Sequence, residues 1–160
     1  MPDWVAAPIG EYYLYFADHK GSNIRLAYAD DLKGPWVVHP PGSLQLADSF
    51  FLTEPPDAPQ EAVAEIKKQR LASSGPETMQ RDILTELATP HIASPDVHVD
   101  IVGETIVTHF HGLDGLGRQV TRVATSPNGI HFTAQPDSFS RSYLRAFTND
   151  NHTYALVMPG

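Results

Sequence analysis

One pattern occurs twice in this chain, its two anchors, Asp3/Asp96 and Gly10/Gly103, each 93 residues apart. Pro2-Asp3-Trp4-Val5, Gly10-Glu11 and the strand-like run Tyr12 to Ala17 return as Pro95-Asp96-Val97-His98, Gly103-Glu104 and Ile106 to Phe110. Each copy continues into a second strand-like run, Asn23 to Ala29 in the first and Gln119 to Ala124 in the second. Each then closes on a turn and an aromatic: Asp30-Asp31-Leu32-Lys33-Gly34-Pro35-Trp36, and Ser126-Pro127-Asn128-Gly129-Ile130-His131-Phe132. A repeated unit of short strands cannot bury both of its faces alone, so copies must stack on one another.

A third copy starts near the end of the sequence. Tyr143 to Phe147 reads as an inner strand, Asn149-Asp150-Asn151 as a turn, and Thr153 to Met158 as the next strand. From Thr105 to Thr153 is only 48 residues, so the first interval carries roughly 45 inserted residues. Units of about four short strands repeated at this spacing are the mark of β-propeller blades. The expected fold is therefore all-β: a partial propeller of about two to two and a half blades of antiparallel strands, with a helical insertion. Residues 1–43 form a truncated first blade, 44–90 the insertion, 91–138 the second blade and 139–160 the start of a third. Since ~4–8 blades close a ring, the sequence reads as a fragment, with unpaired blade edges that invite self-association.

The insertion is different material. After the breaker-rich Pro55-Pro56-Asp57-Ala58-Pro59, residues Gln60 to Ala72 set Ala62, Val63, Ile66 and Leu71 among charged positions, which predicts an amphipathic helix. Ser73-Ser74-Gly75-Pro76 breaks it, and Glu77 to Ala88 reads as a second helix. Two uses are open to this pair: a cap on one side of the sheet, or a lid over a site.

Charge and composition remove several functions. A formal net charge of −8 without a run of Lys or Arg argues against nucleic acid or an anionic membrane as partner. Without cysteine there is no disulfide, thiolate metal site or cysteine nucleophile. Met1-Pro2-Asp3-Trp4 lacks the basic and apolar regions of a signal peptide, so a cytoplasmic location is expected. Gly112-Leu113-Asp114-Gly115-Leu116-Gly117 leads from strand to strand and reads as a hairpin turn, not a phosphate loop. No Ser sits in a nucleophile elbow.

The run from Tyr12 to Gly21, then Ile24-Arg25-Leu26-Ala27-Tyr28-Ala29-Asp30 and Gly34-Pro35-Trp36, resembles the five-bladed propeller superfamily of glycoside hydrolases, families 43, 32 and 68. His91-Ile92-Ala93-Ser94-Pro95-Asp96-Val97-His98 is similar to the segment that opens a blade in family 43. The resemblance covers nearly everything outside the insertion. It implies hydrolysis of glycosidic bonds in arabinan-type, xylan-type or related glycans by the complete protein, without a cofactor. It also implies three acids converging on a central cavity, because one carboxyl must protonate the leaving group while another, ionised, activates water or attacks.

By blade position, the resemblance makes Asp3 the general base and Asp96 the acid that tunes pKa or orients substrate. The alternative for each is an Asp that caps a turn with its side chain. The third inner strand carries Arg145 and no acid, and Glu11 and Glu104 lie in hairpin turns. The proton donor is therefore expected beyond Gly160.

His109 and His111 fall on one face of a strand, with Asp96 and His98 expected on the strand beside it. Three uses are open to this set: lining a sugar site, filling a polar core, or holding a divalent metal. The sugar-lining use is the one adopted, with no metal assigned. His19, Lys20 and Arg145 are placed with it as substrate-binding residues. Trp4 either stacks on a sugar or fills the space between blades. A carbohydrate-active propeller is the favoured reading; a non-catalytic sugar-binding propeller and an inactive fragment are the alternatives.

Overall fold

The structure is a computed structural model, and it describes residues 1–74 and 83–158. It is mostly β, built from three antiparallel sheets that stay open. The first is a meander of β1 (Tyr12–Phe16), β2 (Asn23–Ala29) and β3 (Val37–Gln45). The second is the larger meander β4 (Ile92–Asp100), β5 (Thr105–Gly115), β6 (Arg118–Ser126) and β7 (Thr133–Ala134), with the short β8 (Ser140–Arg141) also paired to β6. The third is a hairpin of β9 (Arg145–Asn149) and β10 (His152–Leu156).

The repeat is visible in the register: β1, β2 and β3 follow one another as β5, β6 and β7 do. The first unit has no counterpart of β4, because Asp3 and Trp4 lie in a turn. Alternation along β5 explains the packing. Ile106, Thr108 and Phe110 turn one face inward, and Ile106 and Phe110 join Ile24, Leu44, Phe51, Ile92 and Phe132 in one core shared by both sheets. Burying an aromatic such as Phe110 (1% exposed) is worth roughly 1.5–3 kcal/mol, so this shared core is the main tie between the units.

Directional bonds fix how the two units meet. The Ile92 amide donates to Gly21 O at 2.9 Å, the Phe132 amide to Ser43 O at 3.0 Å, and the Tyr15 hydroxyl to Gly129 O at 2.7 Å. Gly129 must be glycine: its φ is +72°, and a Cβ there would sit 2.6 Å from that hydroxyl.

β3 was not foreseen, since Pro40-Pro41-Gly42 reads as a break. The strand tolerates it through a register shift opposite Ile24–Leu26 and a left-handed Gly42. The insertion accordingly begins after Gln45, with a 3-10 turn at Leu46–Asp48. The first helix, α1, spans Gln60–Ser74, close to expectation. The second, α2, is Ile83–Ala88; residues 77–82 of the helix expected there lie outside the described residues. The insertion caps the sheet edge: Phe51 enters the core, Leu87 is wholly buried, and the Gly117 amide donates to Leu87 O at 2.8 Å. The Gly112–Gly117 hairpin turn narrows to Leu116-Gly117, the preceding residues continuing β5.

In the third hairpin the two turn residues are Asp150 and Asn151, both at positive φ, as a two-residue loop between right-twisted strands requires. No helix is long and apolar enough to cross a membrane among the described residues.

Candidate functional site

The face of β4 and β5 opposite the core holds the polar cluster. Val97 turns toward the core, so Asp96 and His98 turn away from it, and register places Asp96 opposite His109. A bulge between Ala93 and Asp96, with Ser94 at φ +53°, shifts the strand just before the acid. The Asp96 carboxylate lies 2.8 Å from His98 Nε2 through Oδ2, and the same oxygen accepts the Ala146 amide of β9 at 2.8 Å. His109 Nδ1 is 3.7 Å from that oxygen, too far for a hydrogen bond, and is buried without a partner among the described residues.

Electrostatics follow from these contacts. Burial pushes the Asp96 carboxyl up, but the Ala146 amide, His98 and the charge of Arg145 outweigh it and hold the group below its ordinary range. Asp96 is therefore ionised at neutral pH, with its side chain 15% exposed. Burial, and then His98, lower His109, against a smaller upward pull from Asp96. His111 is lowered to about 4, by burial first and then by His91, Arg145 and His19. Both these imidazoles are neutral at pH 7.

His109 and His111 share a strand face but have separate neighbours. The His109 ring lies 5.4 Å from Phe139, while His111 lies 4.2 Å from Tyr143 and 5.9 Å from His91. Arg145 reaches the cluster from β9, its Nη1 donating to Ser94 O at 3.2 Å and Leu144 O at 2.8 Å. Of the residues grouped from sequence, the structure brings Asp96, His98, His109 and Arg145 near one another, while His111 lies further along β5. The sequence reading missed Phe139, Tyr143 and the Ala146 amide, whose approach depends on the segments on either side of β8 and leaves no periodic signal.

The other candidates stand elsewhere. Asp3 occupies an exposed turn rather than a strand, and no hydrogen bond or ion pair joins it to Asp96 among the described residues. Trp4 packs against the core with its indole N–H buried, which supports the space-filling use. Lys20 is committed to α2: its Nζ donates to Thr85 O at 3.1 Å and Glu86 O at 3.0 Å, with the Glu86 carboxylate 3.7 Å away. That is the favourable place for a cation, against the carbonyls of a helix C-terminus. His19 beside it is exposed, yet near enough to His111 and His91 to act on their charge. A pocket lined by Ala58, Gln60, Val63, Ala64, Lys67 and Leu84 lies within the insertion and contains no acid or imidazole.

Comparison with known proteins adds one relative. Over 150 residues the chain is 30% identical to "Uncharacterized protein R118" of Acanthamoeba polyphaga mimivirus, a match covering 90% of this chain and 34% of that protein. The chain thus spans about a third of the length of its viral relative. No protein-family profile matches the chain, and no solved structure matches it.

Proposed function

We propose that this chain forms consecutive blades of a carbohydrate-active β-propeller of the five-bladed glycoside hydrolase type, and that Asp96 is its substrate-orienting carboxylate. Two meanders of the same strand order packed on one core support the propeller reading. The observation that carries the functional reading is the Asp96 carboxylate itself: ionised, mostly buried, and flanked by His98 and His109 with Phe139 close by. A sugar presents hydroxyls to a carboxylate and imidazoles, and its C–H face to an aromatic ring, so this combination suits it.

One acid is not enough for cleavage. Glycosidic hydrolysis needs a second carboxyl facing the same bond, ~5–5.5 Å away in retaining sites or ~6.5–9.5 Å in inverting ones. Among the described residues the cluster has a single carboxylate, and Asp3 does not supply the second. In this proposal the 160-residue chain binds carbohydrate, and hydrolysis belongs to the complete protein. A non-catalytic sugar-binding propeller is the second reading, favoured by that same single acid.

The test is a titration of arabinose, xylose, galactose, fructose and their short oligomers in chelator-treated buffer, followed by thermal melt and by release of reducing ends. The expected result is stabilisation by one sugar class with no turnover. Indifference to the whole panel would overturn the carbohydrate reading; turnover by this chain would overturn the division between binding and hydrolysis.

A further inference from the structure

We propose that Asp96, His98 and His109 bind one first-row divalent metal ion of the zinc, manganese, iron(II) or cobalt class. The inference goes beyond the carbohydrate reading and does not rest on it. One donor atom from each residue lies within 4.8 Å of the other two. Ligand bonds of ~2.0–2.2 Å to nitrogen and oxygen put neighbouring donors roughly 3–3.5 Å apart around an ion. The present gaps, 2.8 Å from Asp96 Oδ2 to His98 Nε2 and 3.7 Å to His109 Nδ1, bracket that value.

Three further features favour ligation. Strand register places Asp96 opposite His109 and puts His98 two residues along on the same face, so the donors are held by a sheet rather than a loop. His109 Nδ1 is buried without a partner among the described residues, a cost that coordination would remove. The Ala146 amide already holds the Asp96 carboxylate, as outer-shell donors do for metal-binding acids. Two imidazoles and one carboxylate leave coordination positions open, the pattern of ions that also take water or a substrate oxygen.

Arg145 is the opposing feature. Its positive charge acts on Asp96, and its guanidinium is tied to the Ser94 and Leu144 carbonyls at the edge of the cluster. Removing it should therefore strengthen binding, an effect that a purely structural polar cluster would not show.

The experiment titrates the full 160-residue chain, stripped with chelator, with Zn²⁺ and Co²⁺ by calorimetry and by cobalt absorption. Saturation at one ion per chain is expected. Asp96→Asn and His109→Gln should each weaken binding at least tenfold, Arg145→Ala should tighten it, and His19→Ala should leave it unchanged. If the variants fail to fold, Mn²⁺ added to the wild-type chain should broaden the ring resonances of His98 and His109 before those of His19 and His152. No saturable binding, binding unaltered in both ligand variants, or broadening led by the other histidines would overturn the site. Because no sugar enters these measurements, failure here leaves the carbohydrate reading standing, and the reverse also holds.

Discussion

The two repeated units share a sequence pattern but use it differently. In the second, Asp96 lies on β4 and gathers His98, His109 and the Ala146 amide. In the first, the matching Asp3 lies in an exposed turn because no strand precedes β1. The contrast extends along the chain at the same spacing: buried His111 matches Asp18, which is exposed and paired with Arg25 at 3.4 Å, and buried Gly112 matches exposed His19. The closing aromatics differ too, with Phe132 7% exposed and Trp36 37% exposed. The shared pattern encodes the meander, while burial comes from what lies against each copy. The second unit has β9 and the loop after β8 on one face and the first unit on the other.

The largest test of this difference is acid stability. His111 is near 4 when folded and ordinary when unfolded, so the unfolded chain binds more protons between those values. Stability is then complete above about pH 6.5 and declines on acidification toward pH 4, by ~3 kcal/mol for His111, with His91 and His109 adding in the same direction. Asp96 acts only lower, losing its contribution as pH falls below the ordinary carboxylate range toward its lowered folded value. Urea melts in chelator across pH 4–7 should show this slope, and His111→Gln should flatten it. Asp18→Asn in the first unit should leave it in place.

Next in size is Gly112→Ala. A Cβ there would meet His91 O at 2.5 Å and the Phe51 ring at 2.6 Å, so overpacking should cost about 2 kcal/mol. His19→Ala, its counterpart, should change the melting temperature negligibly. Equal effects at the two positions would mean that the units are packed alike.

Tyr15→Phe removes the hydroxyl bond to Gly129 O that joins the units, and should cost about 1 kcal/mol by chemical denaturation. Smallest is Asp18→Asn, which breaks a surface ion pair worth a few tenths of a kcal/mol. A large loss there would contradict the view of the first unit's exposed edge as energetically minor.

Much of this was legible in the sequence. Asn23 to Ala29 is β2 residue for residue, and the alternation of β5 put His109 on the face that Asp96 occupies. Helix α1 was legible from its helix-forming composition and the proline-rich lead-in, but the apolar face expected of it is weak: among residues 60–69 only Val63 is buried. What stayed hidden was set by partners distant in sequence. Lys20 resembled a cavity residue until α2 placed its last carbonyls against it. Asp3 matched Asp96 by motif, yet a motif of four residues does not specify whether a strand forms around it. β3 was masked by Pro40-Pro41-Gly42, which a bulged edge strand accommodates. The Ala146 amide is backbone, and no side-chain pattern announces it.

The central claim is that the working carboxylate is Asp96 and not its repeat partner Asp3. The most direct measurement is a sugar-panel titration of Asp96→Asn and Asp3→Asn beside the wild-type chain, followed by ¹H–¹⁵N shifts with folding checked on the same spectra. The account predicts that a sugar perturbs the Ala146 amide and its neighbours in the wild type and in Asp3→Asn, and that Asp96→Asn abolishes the response. A response lost in Asp3→Asn and retained in Asp96→Asn would contradict it.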